Sequence, residues 1–239
     1  AGKIVAVRGI GGFLLAVDAL NAGAVKRLRL RKQRPDKPLA VMARDAAVLG
    51  RFCRVSEEEL ALLASSAAPI VICRALPEHR ELPLATLTPD GGTLGVMLPT
   101  SPLHWLLLNP LPEDPVRAFD LLVMTSGNRR SEPICISNEE AFSRLAGIAD
   151  CFLCHDREIN LRADDSLAVV PPDGPPQIWR FARGYAPSAL QITRPLPAPA
   201  LGMGAELKNS VAIGADNRIY LSPHVGDLET PEAREGLER

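Results

Sequence analysis

No apolar run in the 239-residue chain approaches the roughly 20 residues that a spanning helix requires, so a membrane partner is not expected. Nor is there a surplus of either charge. Lys and Arg total 27 against 28 for Asp and Glu, a net charge of -1. A long-range positive field is therefore not expected, and any polyanion must be held by a local cluster. Paired cysteines are also wanting. Cys53, Cys73, Cys135, Cys151 and Cys154 are odd in number, and no secretory signal is visible, which points to a reducing, cytoplasmic compartment. Gly9 and Gly11 begin like a dinucleotide fingerprint, but its third glycine falls on Leu14. No Ser-His-Asp order and no zinc-hydrolase motif occurs.

What is present is globular in character, with 46% hydrophobic and 23% charged residues. The length suits one sizeable core, or one domain with part of a second. The chain enters a strand at Ile4 to Val7 almost at once, which leaves open that it is a portion of something longer. Three glycines follow in Gly9-Ile10-Gly11-Gly12-Phe13, read either as a tight turn or as a ligand approach. Asn21 or Asp18 caps a helix over about Ala22 to Lys32, with Val25 and Leu28 on its inner stripe. Pro35 and Pro38 end it, and Leu39 to Met42 continue as a strand. Ser56 with Glu59, and Ser137 with Glu140, are capping boxes, while Ser101-Pro102 starts a helix through Leu108. Further strands are expected at Ile70 to Cys73, Thr93 to Leu98, Phe119 to Met124, near Phe152, and at Ser166 to Val170 and Gln177 to Trp179. Alternating strands and helices predict an α/β fold with ligand loops at strand ends.

Seven cations lie between residues 26 and 37: Lys26, Arg27, Arg29, Arg31, Lys32, Arg34 and Lys37. Lys26 to Arg31 read as a largely solvated helix face. Lys32, Arg34 and Lys37 sit where proline stiffens the helix exit, and arginine forks with compact lysine charges suit phosphate. A solvated face, a phosphate site and a nucleic-acid surface all stay open on this pattern. Ser126-Gly127-Asn128, directly after an apolar strand, fits a sugar or phosphate contact or a structural turn. Cys151-Phe152-Leu153-Cys154-His155 has the haem-attachment spacing, but a buried spectator role for its cysteines fits better, and zinc is not expected. Asp164 and Asp165 are candidates for Mg²⁺, for orienting arginines, or for a surface ion-pair network. Arg180 and Arg183 form another small cationic loop.

Lys32-Gln33-Arg34-Pro35-Asp36-Lys37-Pro38-Leu39 and Ser126-Gly127-Asn128, in that order, resemble the signature of the YrdC-like, or Sua5-like, adenylate-forming family. The glycine turn, His155-Asp156-Arg157 and Asp164-Asp165-Ser166 extend the likeness to the central domain of carbamoyltransferases serving NiFe-hydrogenase maturation. Past Thr193-Arg194-Pro195-Leu196-Pro197-Ala198-Pro199, Gly202 to Asn209 and Leu221 to Glu229 resemble the opening of their Kae1-like domain. The resemblance implies a YrdC-like twisted mixed open sheet with helices over residues 1–190, a proline-rich linker over 191–200, and an incomplete, strand-rich Kae1-like start over 201–239.

It further implies that ATP and carbamate are joined, with Mg²⁺, into carbamoyl adenylate and pyrophosphate. In the whole protein, carbamoyl phosphate would supply the carbamate. The group would pass to the C-terminal cysteine of a maturation partner and become a cyanide ligand. Transfer itself is not expected from this stretch alone. Carried over by residue, Lys32, Arg34, Ser126 and Asn128 would be catalytic, Lys37 and Arg157 would hold nucleotide, and His155, Asp156, Asp164 and Asp165 would line the pocket; the cationic loop of Arg180 and Arg183 is expected to add to the nucleotide contacts. A threonylcarbamoyl-adenylate synthase and a double-stranded RNA-binding module are the competing readings.

Overall fold

In the computed structural model, residues 2–76, 81–89, 91–206, 209–223, 228–229 and 231–238 are described. Of the expected Kae1-like residues, Leu207, Lys208 and His224 to Asp227 lie outside them. The first sheet begins with a hairpin, β1 (Val5–Arg8) and β2 (Phe13–Asp18). Helix α1 (Ala22–Lys32), β3 (Val41–Ala43), α2 (Ala46–Phe52), β4 (Cys53–Arg54), α3 (Glu57–Leu63) and β5 (Ile70–Ala75) follow. Next come α4 (Leu84–Leu87), β6 (Thr93–Met97), α5 (Pro102–Leu108), β7 (Leu121–Ser126), α6 (Asn138–Arg144), β8 (Cys151–Leu153), β9 (Leu167–Val169) and β10 (Gln177–Arg180). The strand order is β10-β9-β5-β6-β3-β7-β2-β1-β8, with β4 paired to β5. Three parallel pairs (β1 with β8, β3 with β6, β5 with β9) stand among antiparallel ones, so the sheet is mixed as expected.

Alternating side chains explain how this sheet carries two apolar faces. Leu15, Val17, Val41, Val71, Leu121 and Val123 join a core with Val25 and Leu28 of α1, Leu49 and Phe52 of α2, and Leu63 of α3. The residues between them, Ala16, Met42, Leu122 and Met124, point to the other face with Val7, Ile70 and Met97, where Leu108 of α5 covers them. Each fully buried large aliphatic contributes about 1.5–3 kcal/mol. A one-residue slip in β7 would exchange the two sets.

Local chemistry fixes the helix ends. The Asn21 side chain accepts from the Ala24 amide, and Gln33 closes α1 in the left-handed region at φ 52. The Gln33 amide donates to the Leu30 carbonyl and the Arg34 amide to that of Arg29, a Schellman closure without its usual glycine. Ser56 and Glu59 form the expected capping box. Ser137 likewise caps α6, but the Glu140 carboxylate accepts from Ile136 instead of the cap residue, so that box is half formed. Several elements lie outside the sequence-based expectations, among them β2, hidden behind the glycine turn, and α2, whose cap is Asp45.

A second sheet, in the order β11 (Ala189–Gln191), β14 (Arg218–Leu221), β13 (Val211–Ala215), β12 (Ala200–Met203), precedes α7 (Pro231–Glu238). Its first strand straddles the expected boundary at 190. The proline stretch is also tied to it, since the Leu196 amide donates to the Asp216 carbonyl. Hydrogen bonding thus ties residues of the expected extended linker to the second sheet. No helix among the described residues is long and apolar enough to cross a membrane.

Candidate functional site

Helix α1 delivers Lys32 into the interior at its last turn. The inner stripe reads Val25, Leu28, Arg29, Lys32, the i, i+3, i+4, i+7 spacing of one helical face. Lys32 is 6% exposed. Its ammonium donates to the carbonyls of Ser126 at 2.6 Å and Asn128 at 2.7 Å, and to Asn128 Oδ1 at 2.7 Å. The Ser126 hydroxyl donates to the same Oδ1 at 2.8 Å, and Asn128 Nδ2 donates to the Glu132 carbonyl. Lysine, serine and asparagine, far apart in sequence, therefore form one bonded unit where β7 ends. Burial first, then the charges of Arg34 and Lys37, pull the Lys32 pKa down to about 7.

Arg34 lies next along the chain, half-buried, with its pKa lowered to about 10, chiefly by burial and then by Arg29. It is still a full cation at neutral pH. Its Nη2 donates to the Pro38 carbonyl at 2.7 Å and its Nε to that of Lys37, while Nη1 makes no hydrogen bond among the described residues. Lys37 is exposed. Asp164 acts electrostatically on both Lys32 and Arg34, and Arg180 on Arg34, which places all four in one field.

The carboxylates serve the arginines. Asp164 Oδ2 accepts from Arg180 Nη1 at 3.2 Å, and Asp165 Oδ1 accepts from Arg183 Nε at 3.0 Å and Nη2 at 2.9 Å. Asp164 Oδ1 takes the Asp165 amide. Ser166, fully buried, locks the pair in place by donating to the Arg183 carbonyl and accepting from the Ala182 amide. No group of three or more His, Cys, Asp or Glu side chains placed to hold a metal occurs among the described residues. Asp164 and Asp165 orient Arg180 and Arg183 in this arrangement.

The expected pocket group 155–157 is held through Arg8. The His155 carbonyl accepts from Arg8 Nη1 at 2.6 Å, and Asp156 and Arg157 are exposed. Among the described residues, no hydrogen bond or ion pair joins these three to Lys32, Ser126 or Asn128. Cys151 and Cys154, expected as buried spectators, are half-buried because β8 is an edge strand. A concavity of about 490 Å³ opens between α2 and α3 against Leu49, Gly50, Leu60 and Leu76. Its Cys53 thiol is pushed up to about 12 by burial, so it offers no nucleophile.

Arg29 is the residue that the cationic pattern conceals. Placed on the solvated face by composition, it is 9% exposed. It donates to the carbonyls of Arg34 at 2.8 Å, Pro35 at 3.0 Å, Lys37 at 3.1 Å and Leu87 at 3.0 Å, and also to that of Thr86. A single guanidinium holds the whole 34–37 loop. The available signal is its place four residues after Val25 and three before Lys32 on the apolar stripe. Arg27 and Arg31 are also engaged, both pairing with Asp150.

Residues 1–182 match the sequence profile of the Sua5, YciO and YrdC proteins, described as "Telomere recombination", and residues 196–239 match that of the HypF Kae1-like domain. The carbamoyltransferase HypF of Synechocystis is 42% identical over 238 residues, 99% of this chain and 30% of that protein. That of Rhodobacter capsulatus is 45% identical over 236 residues, 96% of this chain and 29% of that protein. The chain thus spans about 30% of the length of these curated relatives. The crystal structure of full-length HypF in its phosphate- and nucleotide-bound form superposes with a TM-score of 0.88 at 42% identity, covering 98% of this chain and 36% of that one. Sua5 of P. abyssi, solved with L-threonine, shares the fold at a TM-score of 0.62 and 22% identity, covering 76% of this chain and 51% of that one.

Proposed function

The chain belongs to the Sua5, YciO and YrdC family, and from that premise we propose that it joins carbamate to ATP, giving carbamoyl adenylate and pyrophosphate. In the whole protein this would be the middle step of a carbamoyltransferase acting on the C-terminal cysteine of a hydrogenase maturation partner. Two supports are the HypF relatives and the nucleotide-bound HypF of the same fold. The observation that carries the reading is the Lys32–Ser126–Asn128 unit with Arg34 beside it.

A carbamate oxygen attacks the α-phosphorus of ATP as the bond to the β-phosphate oxygen breaks, and pyrophosphate departs with that electron pair. Carbamate is already anionic, so no general base is required. The difficulty is repulsion between anions, which fixed positive groups relieve. Lys32 spends its hydrogens on the 126–128 loop and so acts by holding that loop and by its charge. Arg34, with donors left over, would grip phosphate, and Lys37, Arg180 and Arg183 would extend the field. Mg²⁺ would come on the β and γ phosphates and offset their charge. Asp164 and Asp165 remain paired with Arg180 and Arg183.

Carbamate-dependent exchange of labelled pyrophosphate into ATP tests the reading. Exchange with carbamate and none with L-threonine is expected. Exchange only with threonine plus bicarbonate would mark a threonylcarbamoyl-adenylate synthase instead.

A further inference from the structure

Beside the cationic unit runs a narrow cleft between the β1–β2 turn and the start of α5, lined by Gly11, Gly12, Thr100, His104, Asp165 and Arg183. His104 is 3% exposed, and its Nδ1 lies 3.1 Å from the Thr100 hydroxyl. Its Nε2 is buried with no hydrogen-bond partner. Buried polar atoms of native proteins are nearly always satisfied, so an orphaned nitrogen on a residue that lines the cleft points to a missing partner. Burial lowers the pKa of the ring, which is therefore neutral at pH 7, with one nitrogen donating and one accepting. With the Nδ1 hydrogen on the Thr100 hydroxyl, Nε2 is the acceptor, and the missing partner is a small polar group that donates.

We propose that this cleft seats the amino end of carbamate, with His104 Nε2 and the Asp165 carboxylate meeting its N–H groups while its carboxylate is turned toward Arg34. The assignment rests on the adenylation reading above and names the part of that site which selects the acyl substrate. Asp165 suits the task because Arg183 fixes it through Oδ1. Asp164, its neighbour, lines the same cleft and lies in the field of Lys32 and Arg34, so the cleft and the phosphate wall adjoin. The interior volume is about 20 Å³, room for an amino group and not for an amino-acid side chain. The walls cannot retreat cheaply. A Cβ on Gly11 would stand 2.3 Å from the Ala163 carbonyl oxygen, and one on Gly12 2.3 Å from Ile134 Cγ2. Carbamate fits these limits, whereas acetate would set a methyl group against His104 and Asp165, leaving both without a partner.

Imidazole ¹⁵N NMR of the full chain tests this directly, because only four histidines are present and His104→Asn identifies the signal. Freshly dissolved ammonium carbamate, with ammonium chloride as control, should shift the Nε2 resonance of His104 and leave His155 in place. No shift at saturating carbamate would overturn the subsite. In exchange assays, His104→Leu should raise the carbamate KM at least about tenfold with ATP affinity unchanged, and His104→Gln should restore part of it. An equal loss for ATP and carbamate would make His104 merely structural. Absence of exchange in the unaltered chain would refute adenylation instead, and the NMR result would still decide the subsite.

Discussion

Two buried cations, Lys32 and Arg29, share one helix stripe and differ in task. For Lys32 the sign of its pH dependence follows from a pKa of about 7 in the fold against an ordinary 10.5. Between those values the unfolded chain holds the proton and the folded chain has released it, so this residue's contribution to stability rises with pH across that window. ATP reverses the balance, because its phosphates favour the protonated form. Binding above pH 7 should therefore take up a proton, up to about one per ATP near pH 8, and weaken as pH rises. Calorimetry in buffers of different ionisation enthalpy measures that uptake, and a buffer-independent heat would contradict it. Arg29 acts through the backbone. Arg29→Met leaves several carbonyls of the 34–37 loop unpaired and should cost about 2–4 kcal/mol, whereas exposed Lys26→Met should stay within about 0.5 kcal/mol. Urea midpoints of the two variants compare them.

At the scale of elements, the glycines separate by what surrounds them. Gly11 packs so closely on Ala163 that Gly11→Ala should destabilise by about 1–3 kcal/mol. Gly50, inside α2, has open space where a Cβ would stand, with nothing within 4 Å, so Gly50→Ala should stabilise by about 0.5–1 kcal/mol. Thermal melts of both should move in opposite directions. The sequence is legible where local rules act alone. Asn21, Ser56 and Ser101 cap the helices expected of them, and the apolar runs at 70–73 and 121–124 are strands. It is silent where the deciding contact is remote. Nothing near residues 13–18 announces that β2 will lie between β1 and β7, and nothing near Asp164 says that Arg180 will occupy it. The reach of the 126–128 loop to Lys32 is likewise a tertiary event. His104 reads in sequence only as part of a capped helix, because an orphaned nitrogen has no sequence signature.

For the molecule as a whole, a net charge of -1 means that its cations work by placement and not by number. Within the 26–37 cluster, Arg29 and Lys32 are buried, and Arg27 and Arg31 pair with Asp150. The face that composition leaves open to a nucleic acid is therefore largely spent. Double-stranded RNA should bind no more tightly than to an unrelated neutral protein in a gel-shift series at rising salt, and strong salt-sensitive binding would revive that reading. The central claim concerns the phosphate wall. Arg34→Ala, checked for an intact fold by circular dichroism, should lower carbamate-dependent pyrophosphate exchange by about 100-fold or more. Exchange at the unaltered rate in a folded Arg34→Ala protein would contradict it.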